Sequence, residues 1–206
     1  MESENNLSTL KGVDKQLANL IAKAQKSLVQ VHVDGRGNGA GTIVHGDGLI
    51  VTNAHVVQRR QPRITLADGR KLAGSLLAFD EKLDLAAVSV EAENLPVIPM
   101  ANGKALNTGQ LVIALGHPWG VPGASTAGMV IAMGQPLDRL PYQGPLIQVG
   151  CHLRPGHSGG PMVDDQGRLV GINTMIAGPQ VGLAIPIQTV KRFLKNALGS
   201  KKVVAS

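Results

Sequence analysis

Between residues 29 and 185 no apolar pattern lasts long before a turn residue cuts it, and this punctuation constrains the fold more than anything else in the chain. Val29, Val31 and Val33 alternate with polar residues, the period of a half-buried strand. Gly46-Asp47-Gly48 then reads as a hairpin turn between strands at 42–44 and 49–52, and Ala67-Asp68-Gly69-Arg70 as another. The Pro-, Asn- and Gly-rich stretch 94–108 reads as a join. A second set of strands follows at 111–115, 125–133, 146–150, 161–163, 169–174 and 181–185, with a turn at Asp164-Asp165-Gln166-Gly167. The 26 glycines and 12 prolines supply such turns. Short strands with frequent turns predict an all-β protein.

Helical periodicity is confined to the two ends. Leu10, Val13, Leu17, Leu20, Ile21, Ala24 and Leu28 recur at steps of three and four, which predicts an amphipathic helix over 9–28 capped by Ser8 or Thr9. Ile187, Val190, Phe193, Leu194 and Leu198 mark a second helix at the C-terminus. Hydrophobic residues make up 43% of the 206, which argues against disorder, yet aromatics are only 2%, so the core must be built from Val, Ile, Leu and Ala. Cys151 is the only cysteine, so no internal disulfide can form.

The first residues, MESENNLSTL, have neither a basic region nor an apolar core, so they do not read as a leader. No apolar run approaches the ~18 residues of a membrane span. On these grounds a cytoplasmic location is expected. Net charge is +6, with Lys191, Arg192, Lys195, Lys201 and Lys202 in the tail. A solvated helix face explains them, and the scarcity of aromatic stacking platforms argues against a nucleic-acid partner.

The chemistry concentrates in the run Arg154-Pro155-Gly156-His157-Ser158-Gly159-Gly160-Pro161. A hydroxyl bracketed by glycines suits a tight turn in which backbone approaches a substrate and aims N–H groups at a developing oxyanion. Upstream lie Thr52-Asn53-Ala54-His55-Val56-Val57 and Leu83-Asp84-Leu85-Ala86-Ala87-Val88. They supply a base and a carboxylate, giving the chain order His, Asp, Ser, which goes with a double β-barrel. Asp80 competes with Asp84, but only Asp84 leads directly into an apolar strand. Gly35-Arg36-Gly37-Asn38-Gly39-Ala40-Gly41 lacks the Lys-Ser/Thr ending and the following helix of a phosphate loop, and reads as a turn between strands. Cys151, His152 and His157 lack a metal-ligand spacing, and His117 reads as a loop residue. No metal or cofactor is expected.

These segments resemble the trypsin-like serine proteases, and more closely their HtrA/Deg branch. The similarity extends through Leu115-Gly116-His117-Pro118-Trp119-Gly120, Ser125-Thr126-Ala127-Gly128-Met129-Val130 and Gly182-Leu183-Ala184-Ile185-Pro186. It implies two six-stranded antiparallel barrels, at 29–103 and 104–187, flanked by a helical segment at 1–28 and a helix with a basic tail at 188–206. It implies a serine endopeptidase acting on unfolded or damaged proteins. Ser158 would be the nucleophile, His55 the base and Asp84 its orienter, with the N–H groups of Gly156 and Ser158 as oxyanion hole. His152, Arg154, Thr174, Ile176 and Gly182 would bind substrate in a narrowed apolar pocket favouring small aliphatic residues before the scissile bond; an acidic residue drawn by His152 and Arg154 is the competing idea. The resemblance also allows a homotrimer, although residues 1–28 lack aromatic anchors. His157 stands where the family has Asn, and a PDZ domain is not expected. The alternative reading is a non-catalytic peptide-binding or chaperone-like module on a protease fold.

Overall fold

The computed structural model describes residues 2–33, 39–102, 106–134 and 142–199, with the side chains of the first segment described from residue 12. Within these residues two barrels of six strands close, and every ladder is antiparallel. The first joins β1 (Leu28–His32), β2 (Gly39–His45), β3 (Leu49–Thr52), β4 (Arg63–Thr65), β5 (Lys71–Asp80) and β6 (Leu85–Val90) in the order β1-β2-β3-β6-β5-β4. The second joins β7 (Leu111–Gly116), β8 (Ala124–Gly134), β9 (Leu146–Val149), β10 (Pro161–Asp164), β11 (Leu169–Gly178) and β12 (Val181–Pro186) in the order β10-β11-β12-β9-β8-β7. Closure comes from β4 on β1 and from β10 on β7. The expected strands are present, as are the turns at 46–48, 67–70 and 164–167, and β11 runs on past its expected end at 174.

Strand alternation sorts the apolar residues into three cores. Ile50, Ala86 and Val88 point into the first barrel, while their neighbours Leu49, Val51, Leu85 and Ala87 face the seam between barrels. In the second barrel Val112 and Ala114 point inward, and Ile113 and Leu115 face the seam. This is why β3 is buried at every residue: both of its faces are covered. A one-residue slip would exchange the two sets, so the seam fixes the register. Strands β5 and β8 carry exposed residues at intervals, including Leu77, Met129 and Ile131.

Helix α1 spans Glu2–Gln25. It begins earlier than expected, so Ser8 and Thr9 lie inside the helix rather than capping it. No proline interrupts the stretch. Leu17, Leu20, Ile21 and Ala24 pack against the seam core. After the short helix α2 (Ala54–Val57), the third helix, α3 (Ile187–Leu198), starts directly from Pro186 and buries Ile187, Val190, Phe193 and Leu194. Lys191, one of the basic tail residues, donates from Nζ to the Ala101 carbonyl at 2.9 Å. Lys201 and Lys202 lie outside the described residues, as does the turn expected at 35–38; Gly39 and Gly41 already belong to β2.

The barrels are tied to one another at the turn that follows Ser158. Ala40 N–H donates to the Ser158 carbonyl at 2.8 Å, and Thr42 Oγ1 donates to the Gly159 carbonyl at 3.1 Å. Gly159 N–H donates to the Asn173 carbonyl at 2.9 Å. Gly159 has φ +87°, and a Cβ there would run into the Ala40 carbonyl oxygen and Thr52 Oγ1. Gly159→Ala should therefore lower stability by more than the ~1–2 kcal/mol that a left-handed residue costs alone. The urea midpoint should fall while the denaturant slope stays the same; an unchanged midpoint would mean that the turn relaxes freely.

Candidate active site

His55 enters on α2, which follows directly from β3. Asp84 sits immediately before β6 in a left-handed conformation, φ +49°, and the side-chain amide of Asn53 donates to its backbone carbonyl at 2.9 Å. That bond ties the residues preceding α2 and β6 together and fixes the carboxylate opposite the imidazole. His55 Nδ1 lies 2.9 Å from both Asp84 oxygens, and the His55 backbone N–H donates to Oδ1 at 3.0 Å. The Asp84 side chain is 11% exposed and that of His55 is 48% exposed, so the carboxylate is hidden and the far edge of the ring is open. An Nδ1–H aimed at Asp84 leaves Nε2 as the lone-pair nitrogen on that open edge.

Thr174 connects this pair to Ser158. Its hydroxyl donates to Asp84 Oδ2 at 2.6 Å, and its carbonyl accepts from Ser158 Oγ at 2.8 Å. The pairing of β11 with β12 shifts register between Asn173 and Met175, and Thr174 is the residue left over. A bulge of this kind re-aims a side chain and frees a carbonyl from the ladder. Sequence reasoning placed Thr174 in the substrate pocket; its hydroxyl contact with Asp84 and the role of Asn53 were not foreseen. Asn53 was signalled only by its place two residues before His55, and Thr174 by nothing in its local sequence.

The turn before Ser158 is closed by the His157 N–H donating to the Arg154 carbonyl at 3.0 Å, with Gly156 at φ +105°. The Gly156 carbonyl accepts from the His117 N–H at 2.9 Å. Among the described residues no protein acceptor takes up the N–H of Gly156 or of Ser158. Backbone N–H groups without partners are rare in a folded chain. His157 is 3% exposed, with Nδ1 against the Arg154 backbone and Nε2 unpartnered.

Two cavities flank the site. One of about 250 Å³ lies beside Ser158 and is lined by Leu153, Arg154, Thr174, Met175 and Ile176. His152, expected at its floor, is exposed and does not line it; Leu153, the next residue, is buried and does. Consecutive side chains of an extended segment point opposite ways, so one residue decides the lining. A Cβ on Gly182 would come within 2.7 Å of Leu153, so this glycine lets Leu153 settle there. Arg154 stacks its guanidinium on Trp119, 4.4 Å from the ring centroid. The second cavity, about 620 Å³, lies on the far side of His55 and is lined by Arg59, Phe79, Glu81, Tyr142 and Met175 among others.

Residues 39–172 match the model of the trypsin-like peptidase domain. The chain belongs to the trypsin-like peptidase family. It is 40% identical over 158 residues to a Halomonas elongata protein named probable periplasmic serine endoprotease DegP-like, covering 74% of this chain and 33% of that one. A Chlamydia muridarum protein of the same name is 34% identical over 171 residues, covering 80% and 34%. Among solved structures, the HtrA-type protease AlgW with tripeptide superposes with a TM-score of 0.81 at 30% identity, covering 87% of this chain and 62% of that chain. The double-barrel expectation thus holds, as does the HtrA/Deg resemblance. The cytoplasmic expectation does not: these relatives are named periplasmic enzymes. That expectation rested on the first ten residues, and a chain spanning a third of its relatives' length carries no information about a leader at its own start.

His117 is 6% exposed, and burial, reinforced by His32 and His157 nearby, pushes its imidazole down to about 4, against a smaller opposing effect of the Val29 backbone. Burial also lowers His157. Below the unfolded value of ~6.5 the unfolded chain takes up protons that these rings refuse when folded. Stability should therefore fall as pH drops from ~6.5 to ~4, by about 3 kcal/mol for His117, and its share should then level off. Urea midpoints for wild type and His117→Asn would check this. Equal pH slopes for the two proteins would contradict it.

Proposed function

We propose that this chain is a serine endopeptidase in which Ser158 is the nucleophile, His55 the general base and Asp84 its orienter. The observation that carries the reading is the convergence on Thr174, which touches the carboxylate holding His55 and the hydroxyl of Ser158. Ser158 Oγ attacks the substrate carbonyl as its proton passes to His55 Nε2. The oxyanion is held by the N–H groups of Gly156 and Ser158, each worth on the order of 10²–10³ in rate. The amine leaves with the proton from His55, and the acyl group remains on Ser158. Water then attacks, His55 again taking the proton, and the peptide acid departs as Ser158 regains its hydrogen. Within this reading 29–103 and 104–187 are the two barrel units.

In the described geometry the Ser158 hydroxyl rests on Thr174 and not on His55, so it must turn before attack. An extended substrate laid along Thr174–Ile176 would bring a backbone N–H to that carbonyl and take its place there. Its side chains alternate. The residue before the scissile bond then enters the cavity beside Leu153 and Ile176, and the next one upstream meets the larger cavity beside His55. The small apolar lining supports Val, Ala or similar residues at the first position. The substrate would be an unfolded or damaged protein. A homotrimer is the assembly that the family resemblance allows.

The resting Ser158–Thr174 bond also favours a second reading, a non-catalytic peptide-binding module. A fluorophosphonate probe separates the two, because only an activated serine reacts readily. Wild type should be labelled and should degrade casein, whereas Ser158→Ala should do neither and keep its fold. Absence of labelling in folded wild type would support the binding module. Sequencing peptides from a mixed digest should find Val or Ala before the cut. Cuts after Lys or Arg would sink the pocket assignment, and cuts after Glu or Asp would point to Arg154.

A further inference from the structure

Three hydrogen bonds in series link the end of α1 to the turn carrying the oxyanion donors. Gln25 Nε2 donates to the Gly123 carbonyl at 2.6 Å. Gly123 N–H donates to His117 Nδ1 at 3.2 Å. The His117 backbone N–H donates to the Gly156 carbonyl at 2.9 Å. We propose that Gln25 and the His117 imidazole are positioning residues that hold the Gly156 turn in its anion-binding form, so that the N-terminal helix governs the oxyanion hole. The proposal rests on the oxyanion role given to Gly156 above.

The fold alone gives little reason for this arrangement. The His117 ring is buried beside the Val29 backbone, its Nε2 makes no hydrogen bond of good geometry, and its Nδ1 accepts from the Gly123 N–H. A buried unpaired polar group costs free energy, so an apolar residue would stabilise that position better unless the bond is needed. Within the segment 117–123, Gly120 N–H donates to the His117 carbonyl and Val121 N–H to the Pro118 carbonyl, and Trp119 meets the turn through the Arg154 guanidinium. Gly123 has φ +66°, and a Cβ on it would lie 3.0 Å from Gln25 Nε2, so helix and loop approach as closely as glycine allows. At the other end, a Cβ on Gly116 would lie 2.5 Å from His157 Cα, so the loop root sits directly on the turn. Gln25 and Gly123 thus close a loop whose root is packed on the Gly156–His157 peptide, and that contact sets the direction of the turn.

The test uses isosteric changes. Gln25→Glu keeps the shape and removes the donor. His117→Leu removes the ring acceptor, and His117→Asn restores one at the Nδ1 position. Gln25→Glu and His117→Leu should lower kcat on the order of 10- to 10²-fold, with KM within about twofold. Both should weaken a peptide boronate, whose tetrahedral adduct uses the hole, while leaving a product peptide bound as before. His117→Asn should remain near wild type. If His117→Leu fails to fold, Gln25→Glu carries the test, since Gln25 is only half-buried. The Gly156 amide resonance reads the turn directly, with or without turnover, and should shift in Gln25→Glu. An unmoved Gly156 resonance with unchanged kcat would overturn the proposal. A shifted resonance in a protein whose wild type neither cleaves nor labels would overturn the protease reading and leave the positioning role standing.

Discussion

The hydrogen-bond pair on Thr174 is the constraint on which the site depends. A residue in a regular ladder has both backbone groups committed to its neighbours. Thr174 escapes because β11 slips against β12 at that point. The slip leaves its carbonyl open to Ser158 and turns its hydroxyl onto Asp84. The first barrel supplies the His55–Asp84 pair, the second supplies the Ser158 hydroxyl, and a single bulged residue touches both sides. Asn53 completes the set from the other side by fixing the backbone of Asp84 in a conformation a non-glycine residue rarely adopts.

That arrangement requires two barrels that cannot shift past each other. The seam core supplies most of this rigidity. Leu49, Val51, Leu85 and Ala87 of the first barrel share one cluster with Ile113, Leu115 and Ile172 of the second. Branched aliphatic side chains suit such a seam, because closely spaced strands leave little room for rings, and the two buried aromatics, Tyr142 and Phe193, come from a loop and a helix instead. The polar ties between Ala40, Thr42 and the Ser158–Gly159 backbone then fix the angle of the nucleophile turn within an already rigid frame.

How much of this could be read in advance depended on whether the chemistry was local. His55, Asp84 and Ser158 each sit in a short, distinctive string, so the strings stood out directly, and the structure brings the three together around Thr174. The alternation of Val29, Val31 and Val33, and the Gly-Asp turns, follow from backbone geometry and were equally legible. Thr174 was not, because a bulge depends on how β12 pairs with β11 and leaves no mark in the local pattern. His152 was chosen over Leu153 for a similar reason: a count of residues cannot tell which side of an extended segment faces a cavity. The start of α1 was set too late because apolar spacing marks only the face that packs, and a helix can continue beyond it.

The buried histidines make the last connection between fold and site. His117 and His157 lie on either side of the contact between the 117–123 loop and the Gly156 turn, and each leaves a ring nitrogen unpartnered. A fold selected only for stability would place apolar side chains at both positions. Each ring instead holds backbone in place, His117 through Gly123 and His157 through Arg154. The Gly156 and Ser158 N–H groups beside them have no protein acceptor among the described residues, which is unfavourable for a backbone donor. Unpaired donors persist in a folded protein only where the surrounding structure prevents the backbone from turning to satisfy them, and the imidazole contacts supply that resistance at this turn.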